Sequence, residues 1–232
     1  MNVAIIAAAG HGTRMGGRTA KQFLELAGVP VIIHTLKRFE QCDAIHEIVV
    51  TLPEPDVASF KTLAGKYGLR KLTRVVAGGA TRAASVAHGL QAVCATTAEI
   101  IAVHDGVRPF VTPDEISRTV EAARACGAAI LAAPATDTIK EVEHNVVQRT
   151  LARNHLRHAL TPQCFQYELL CRAYEQLNEV NAAEVTDDCF LVERLGVRVS
   201  VVEGSARNIK ITRPEDLAFA EILLKQMPDA GC

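Results

Sequence analysis

The sequence predicts an α/β fold in which helices cover both faces of a mostly parallel β-sheet. Short, nearly continuous apolar runs alternate with segments whose apolar residues recur every three or four positions. Strands that are apolar on both faces are typical of a parallel sheet between two helical layers. The chain has 232 residues and is 49% hydrophobic, enough to bury one large core without disulfides or metals.

Apolar runs mark the strands. The first run ends at Gly10 and has no Lys or Arg before it, so it is a buried strand rather than a signal peptide. Five strands of the core sheet are predicted at 3–8, 47–52, 74–77, 99–104 and 127–133. Two further strands are predicted near the C-terminus, at 197–202 and 208–211.

Helices are predicted between the strands from periodicity and from capping residues. The clearest start is Thr112-Pro113-Asp114-Glu115, where Thr caps, Pro occupies the first turn and Glu completes a capping box. Helices are also predicted to begin at Pro30 and Pro55, to follow Gly79, to span 166–177 and 187–195, and to begin at Pro214.

Residues 136–160 depart from this alternation. The stretch 139–151 alternates imperfectly and has His144-Asn145 at its centre, which predicts a β-hairpin too polar for the core. Because an isolated hairpin is only marginally stable, we expect it to pack on a partner subunit, a surface flap being the alternative. The predicted organisation is a single domain, 1–232, with an inserted arm, 136–160.

Composition excludes several classes of protein. The formal net charge is −1, whereas proteins that bind nucleic acid or a membrane surface usually carry a basic excess. No apolar run approaches the ~18 residues of a membrane span.

The seven cysteines are scattered and form no C-x-x-C pair, which favours reduced thiols and a cytoplasmic location. His155 and His158 lack a third nearby ligand, which argues against a metal there.

The loop after the first strand is the most informative segment. The small residues Ala7, Ala8, Ala9 and Gly10 allow a ligand to approach the backbone, and N–H groups of the glycine loop can bind phosphate oxygens. Arg14 and Lys21 add two cations to the same loop.

Three phosphate-binding motifs compete for this loop. A dinucleotide fingerprint requires a third glycine where Met15 stands, and an acidic residue ~20 positions on, which is absent. A P-loop requires Lys where Arg18 follows Gly17. A nucleotidyltransferase loop, in which Arg14 and Lys21 neutralise a triphosphate, remains as the third interpretation.

Further candidates follow later strands. Asp105, after the fourth strand, is a reasonable Mg²⁺ ligand, and Arg108 can bind a phosphate, although an Asp–Arg pair closing a turn is the simpler interpretation of this segment alone. Gly79 and Ser85 follow the third strand, where main-chain groups and a hydroxyl can contact a base. Lys210 precedes the last helix. Ligands of such sheets bind at the carboxyl ends of the strands.

These segments together resemble the 2-C-methyl-D-erythritol 4-phosphate cytidylyltransferase family of the non-mevalonate isoprenoid pathway. The resemblance spans nearly the whole chain in the expected order. The matching segments are 8–15, Lys21-Gln22, Gly78-Gly79 with Arg82 and Ser85, His104-Asp105, Arg108-Pro109, 137–140, 159–163, Thr186-Asp187 and 208–216.

The resemblance implies a Rossmann-like nucleotidyltransferase domain that dimerises through its β-hairpin arm. It implies transfer of CMP from CTP to the sugar-alcohol phosphate, with release of diphosphate and a requirement for Mg²⁺ or another divalent cation. Implied catalytic residues are Arg14, Lys21, Arg153 (from the partner subunit's arm) and Lys210. Implied CTP-binding residues are Ala8, Ala9, Gly10, Gly12, Gly79, Ala80 and Ser85. Implied acceptor-binding residues are Asp105, which also serves the metal, Arg108, Thr138 and Thr161.

The chain departs from the family pattern at two places. Ala80 stands where many relatives carry Asp, so only a backbone contact is expected there. Gly106-Val107 replaces a commoner pair of alanines. The sequence shows no second domain of the kind found in bifunctional members, so one activity is expected.

Alternative functions remain open at this point. A cytidylyltransferase for D-ribitol 5-phosphate shares the nucleotide-binding half, and a nucleotide-binding regulator would need no turnover. A nicotinamide-dependent dehydrogenase is disfavoured by Met15.

Overall fold

The computed structural model describes residues 1–10, 20–177 and 185–226. Its strands are β1 (Asn2–Ala7), β2 (Glu25–Leu26), β3 (Val29–Pro30), β4 (Glu47–Leu52), β5 (Leu72–Ala77), β6 (Ile100–Asp105), β7 (Ala128–Pro134), β8 (Lys140–Glu143), β9 (Val146–Thr150), β10 (Arg157–Gln166) and β11 (Ser200–Glu203). Its α-helices are α1 (Val31–Glu40), α2 (Val57–Gly65), α3 (Arg82–Gln91), α4 (Pro113–Cys126), α5 (Tyr167–Glu175), α6 (Asp188–Glu193) and α7 (Pro214–Lys225).

The central sheet has seven strands in the order β11-β7-β10-β6-β1-β4-β5. Its strands are parallel to one another except β10, which pairs antiparallel with both β6 and β7. Two small antiparallel pairs, β2–β3 and β8–β9, lie outside it. The predicted α/β fold with a mostly parallel sheet is confirmed.

Two hydrophobic layers cover the two faces of the sheet. Alternate residues of β1 point to opposite sides, so Ile6 belongs to the apolar cluster that includes residues of α1, α2 and α4, and Ile5 to the cluster that includes residues of α3, α5 and α6. Both side chains are fully buried. This explains why the strand is apolar at every position.

The helix starts agree with the capping pattern in the sequence. Thr112 accepts a hydrogen bond from the Glu115 N–H, and the Glu115 carboxylate accepts one from the Thr112 N–H. This is the predicted capping box, with Pro113 in the first turn of α4.

β10 is a strand that sequence reasoning missed. Residues 157–160 belong to the predicted arm, but they form the first part of β10, which pairs with β7. The register shifts between Ala159 and Gln163, and Pro162 lies in this irregularity, where its missing N–H breaks no ladder. β10 inserts between β6 and β7 and brings Thr161 next to Asp105.

The strand predicted at 208–211 is wrong. Asn208 closes a turn onto Ser205, and Ile211 donates a single backbone hydrogen bond to Val107 at 2.9 Å. A single backbone hydrogen bond does not make this segment a β-strand. The segment is held instead by an apolar cluster beneath α7, in which Ile211 is fully buried with Phe110 nearby.

The predicted hairpin is confirmed, and it projects from the sheet. His144 and Asn145 have positive φ angles of 48° and 64°, as its tight turn requires. Every residue of β8 and β9 is exposed. Val142, Val146 and Val147 are each more than half exposed.

Within the described ranges, no helix is both long enough and apolar enough to cross a membrane.

Candidate active site

The carboxyl ends of β1, β5 and β6 meet at one edge of the sheet. Ala7, the last residue of β1, pairs with Asp105, the last residue of β6. The loops that follow these strands enclose a cavity of about 210 Å³. Predicted site residues that line it are Ala8, Ala9, Gly10, Lys21, Gly79, Ala80, Ser85, Asp105 and Lys210.

The glycine loop after β5 packs closely against the loop after β1. A Cβ placed on Gly78 would lie 2.3 Å from the Cβ of Ala9, so only glycine fits there. The Ser85 hydroxyl accepts a hydrogen bond from the Gly79 N–H at 3.1 Å and donates one to the Thr81 carbonyl at 2.8 Å. Ser85 therefore fixes the shape of this loop.

Asp105 is the electrostatic centre of the site. Its carboxylate is 7% exposed and contacts three cations. Arg82 Nε lies 3.0 Å from Oδ1, Arg108 Nε lies 3.2 Å from Oδ2, and Lys210 Nζ lies 2.9 Å from Oδ2. Burial alone would raise the pKa of Asp105, but Arg82, Lys210 and Arg108 outweigh it and hold the pKa well below its ordinary value. The carboxylate is therefore ionised throughout the physiological range.

A hydrogen-bonded chain of buried groups supports this carboxylate. His104 Nε2 lies 3.1 Å from the Arg108 carbonyl, which can only accept, so Nε2 carries the proton. His104 Nδ1 then accepts from the Thr161 hydroxyl at 2.9 Å, and the same oxygen accepts from the Asp105 N–H at 3.2 Å. Burial lowers the pKa of His104 to about 4, so the imidazole is neutral. Thr161, which the resemblance assigns to the same acceptor as Asp105, thus stands beside that residue.

Arg108 is tied to the segment that carries Lys210. Its Nη1 donates to the Asn208 carbonyl at 2.8 Å, while the Asn208 side chain donates to the Thr161 carbonyl at 2.8 Å. These contacts gather predicted residues from three distant parts of the chain around Asp105.

Arg82 is among the residues that carry the family resemblance, but sequence reasoning gave it no role in the site. Besides Asp105, its guanidinium binds Asp188, with Nη1 2.8 Å from Oδ2. The sequence did carry a signal, since Arg82 belongs to the segment after the third predicted strand and lies at the start of α3. Gln22 was also missed as a site residue, although it lines the cavity and is fully buried.

Other predicted residues lie apart from the cavity in this chain. Thr138 and Arg153 are exposed at the arm, and Arg153 donates to the Thr136 carbonyl at 2.7 Å. Neither lines the cavity. Gly12 and Arg14 lie outside the described residues.

The described ranges contain no cluster of three or more His, Cys, Asp or Glu side chains able to hold a metal. Asp105 can serve as a single carboxylate ligand. Its Oδ2 forms ion pairs with both Arg108 and Lys210. Among the described groups, Oδ1 forms an ion pair only with Arg82. One carboxylate oxygen fits Mg²⁺, which takes few protein ligands and completes its shell with water and phosphate oxygens.

The fold and the site are those of an α/β enzyme that binds the phosphate groups of a nucleotide. Glycine loops at the carboxyl edge of a parallel sheet offer N–H donors, and Lys21, Lys210, Arg82 and Arg108 supply positive charge to the same edge.

Comparison with known proteins identifies the family. The family model described as IspD, 2-C-methyl-D-erythritol 4-phosphate cytidylyltransferase, matches residues 2–226. A protein of that name from Pelotomaculum thermopropionicum is 44% identical over 224 residues, which cover 96% of this chain and 93% of the relative. One from Bacillus cytotoxicus is 45% identical, with 97% and 98% covered. The chain belongs to the 2-C-methyl-D-erythritol 4-phosphate cytidylyltransferase family.

Solved structures agree. A 4-diphosphocytidyl-2C-methyl-D-erythritol synthase from Anaerococcus prevotii superposes with a TM-score of 0.85 at 33% identity, covering 97% of this chain and 96% of the other. The 2-C-methyl-D-erythritol 4-phosphate cytidylyltransferase from Thermus thermophilus gives 0.75 at 36% identity, with 96% and 98% covered. The fold is that of the nucleotidyltransferases.

Proposed function

We propose that this chain transfers CMP from CTP to 2-C-methyl-D-erythritol 4-phosphate in the non-mevalonate isoprenoid pathway. The products are 4-diphosphocytidyl-2-C-methyl-D-erythritol and diphosphate. The observation that carries the proposal is Asp105, held by Arg82, Arg108 and Lys210 beside the glycine loops. Membership of the cytidylyltransferase family supports the same activity.

The reaction needs charge neutralisation rather than a general base. A phosphate oxygen of the acceptor, already ionised near neutral pH, forms a bond to the α-phosphorus of CTP. The bond from that phosphorus to the oxygen bridging to the β-phosphate breaks, and diphosphate leaves with the electron pair. The obstacle is the approach of one anion to another, so positioning and preorganised cations lower the barrier.

Residues that line the cavity are assigned either to binding CTP or to neutralising the phosphates. Ala8, Ala9, Gly10, Gly79 and Ala80 line the cavity, and their main-chain groups are assigned to CTP. Gly12, outside the described residues, is assigned to CTP from the family resemblance alone. Ser85 acts through the shape of the loop as well as through its hydroxyl. Lys21 and Lys210 line the cavity and neutralise the phosphates, together with Arg14.

The acceptor is expected on the Asp105 side of the cavity. Arg108 and Thr161 both contact Asp105, and they can bind the hydroxyl and phosphate groups of the acceptor. Thr138 and Arg153 are exposed on the arm of this chain, so we assign them to a site shared with a second copy. The exposed valines of the hairpin support a homodimer formed through the arm, because apolar side chains at such density favour burial against a partner.

Asp105 would hold Mg²⁺ or another divalent cation at this site. When bound, it would supply additional positive charge at the phosphates. Asp105 serves this role because its neighbours keep it ionised.

We further propose one domain, 1–232, with the arm 136–160 projecting from it. The single seven-stranded sheet, which draws strands from β1 to β11, supports this organisation. A cytoplasmic location is supported by the free thiols of the cysteines in the described residues.

The proposal is tested by incubating the enzyme with CTP, Mg²⁺ and 2-C-methyl-D-erythritol 4-phosphate. Diphosphate release and the mass of the cytidylylated product are measured, with reactions lacking acceptor as controls. We expect stoichiometric release of both products. Tight CTP binding without any release would contradict the proposal and favour a nucleotide-binding regulator.

A further inference from the structure

Arg82 is held by two carboxylates at once. Its Nε donates to Asp105 at 3.0 Å and its Nη1 donates to Asp188 at 2.8 Å. Asp105 belongs to the proposed reaction, but Asp188 does not line the cavity and is only 1% exposed. A planar guanidinium bound at two edges has little freedom to turn.

Asp188 is itself fixed by groups behind the cavity. Its Oδ2 accepts from Arg82, and its Oδ1 accepts from the hydroxyl of Tyr174. Burial and the adjacent Asp188 carboxylate raise the pKa of Tyr174 well above its ordinary value, so the hydroxyl keeps its proton. Both oxygens of this buried carboxylate are therefore engaged.

The backbone at Asp188 is anchored to the sheet. Gln163 of β10 accepts hydrogen bonds from the N–H groups of Asp188, at 3.1 Å, and Cys189, at 3.0 Å. β10 pairs with β6, the strand that ends in Asp105. The two carboxylates that hold Arg82 are thus placed by neighbouring strands of one sheet.

We propose that Asp188 is a positioning residue that acts through Arg82. It holds the guanidinium beside Asp105 from the side away from the cavity, so Arg82 keeps its place when Asp105 engages the acceptor or a cation. This inference rests on the proposed function, because the step it supports is the transfer at Asp105. Asp188 touches neither substrate in this arrangement.

The test compares Asp188→Asn with the wild-type enzyme in the diphosphate-release assay. The variant keeps the size of the side chain and removes its charge. Because misplacing a group at the reacting centre mainly affects the transition state, we expect kcat to fall about 10- to 100-fold. The KM for CTP is expected to change less than about threefold, since the nucleotide loops are untouched.

Glu193→Gln is the matched control. Glu193 carries the same charge on the same helix, but it is exposed, and its Oε1 accepts a hydrogen bond from the Cys189 thiol at 3.0 Å. Glutamine keeps that acceptor oxygen, so kcat should stay within about twofold of wild type. An equal loss in both variants would overturn the proposal, because it would indicate a general effect on α6.

A double-mutant cycle with Arg82→Lys tests whether Asp188 works through Arg82. Lysine lacks the fork that bridges both carboxylates, so in that background Asp188→Asn should lower kcat further by less than about threefold. Independent, multiplicative losses would contradict the inference. Absence of product with the wild-type enzyme would instead refute the proposed function.

Thermal melting shows which Asp188 variants are folded. Should Asp188→Asn not fold, Tyr174→Phe removes one hydrogen bond to Asp188 and leaves the carboxylate paired with Arg82. We expect that variant to lower kcat about three- to tenfold, and to have no effect in the Arg82→Lys background. An unchanged kcat in folded Tyr174→Phe would overturn the inference.

Discussion

Asp105 shows how a chain of nearly neutral charge can bind polyanions. Three cations, Arg82, Arg108 and Lys210, surround one carboxylate, and Asp188 offsets part of the excess. The cluster of five groups therefore carries a net charge of about +1, counted from three cations and two anions, before Lys21 is added. The formal net charge of −1 for the whole chain conceals this local excess.

Lys21→Ala is expected to slow turnover far more than it weakens CTP binding. Lys21 lines the cavity, and a cation that neutralises charge developing at the α-phosphate acts mainly in the transition state. Loss of one preorganised donor typically costs about 100- to 1,000-fold in kcat. Steady-state kinetics and equilibrium CTP binding measure the two effects separately.

Lys61→Ala serves as the control for that variant. Lys61 is an exposed residue of α2, outside the lining of the cavity, so both kcat and CTP affinity should match wild type. A Lys21→Ala enzyme that loses CTP affinity but keeps its kcat would contradict a transition-state role.

His104 predicts a measurable pH dependence of folding stability. Burial lowers the pKa of its imidazole to about 4 in the folded protein, against an ordinary value of 6.5. Between pH 6.5 and 4 the unfolded chain takes up a proton that the folded chain does not, so stability falls as the pH falls. From pH 6.5 to 5 this contributes a loss of roughly 1–2 kcal/mol.

His104→Gln should lack this contribution, because glutamine stays neutral and can still donate and accept. Urea unfolding of both proteins at the two pH values gives the difference directly. Equal losses of unfolding free energy in the two proteins would show that His104 is not responsible.

Helix α3 lies unusually close to the sheet. A Cβ on Gly89 would lie 2.6 Å from Ile5 Cγ2 and 3.1 Å from Thr51 Cγ2, so the helix uses a glycine at its point of contact. This close packing sets the position of the α3 N-terminus, where Arg82 and Ser85 serve the site.

Gly89→Ala is therefore expected to lower stability, although alanine favours helices. Overpacking costs about 1–3 kcal/mol, which exceeds the gain of about 1 kcal/mol in helix propensity. Gly65→Ala in α2 is the matched control, since a Cβ there meets nothing within 4 Å. Urea titrations should show Gly65→Ala equal to or more stable than wild type, and a stabilised Gly89→Ala would refute the packing argument.

The apolar strands were predictable because both their faces are buried, as in β1 and β4. β10 was not, since its first three residues are exposed and Pro162 interrupts it. The segment 208–211 looks like a strand by composition, but its burial comes from α7 rather than from a ladder. The composition of a segment therefore indicates whether it is buried more directly than it indicates whether it pairs with a neighbouring β-strand.

The part of the site formed by residues that directly follow the carboxyl ends of the parallel strands was predictable from the sequence. Asp105 and the loop after β5 were found this way, because the ends of parallel strands meet. The Arg82–Asp188 pair joins residues 106 positions apart, and no local pattern indicates such a contact. Its existence depends on β10, the strand that sequence reasoning missed.

The arm is the part of the chain that we propose contributes to a site shared with a second copy. Its hairpin is exposed at every position, and Val142, Val146 and Val147 present apolar surface. A second copy that covers this surface would also explain why Arg153 stands away from the cavity of its own chain.

Mixed dimers test this arrangement. Arg153→Ala and Lys21→Ala subunits are each expected to be nearly inactive alone. In a heterodimer, one of the two sites receives both intact residues if Arg153 reaches across, so about half of the wild-type activity per heterodimer should return. Purified, verified heterodimers without any recovery would show that Arg153 does not act across the dimer.

Direct competition between two acceptors tests the central claim, that this site transfers CMP to 2-C-methyl-D-erythritol 4-phosphate. The enzyme is given CTP, Mg²⁺ and equal concentrations of that acceptor and D-ribitol 5-phosphate, and the two products are separated by mass. We expect the methylerythritol product to predominate by at least about 100-fold, as a site built for one set of hydroxyl groups discriminates strongly. A predominance of the ribitol product would keep the fold and the chemistry but contradict the proposed substrate.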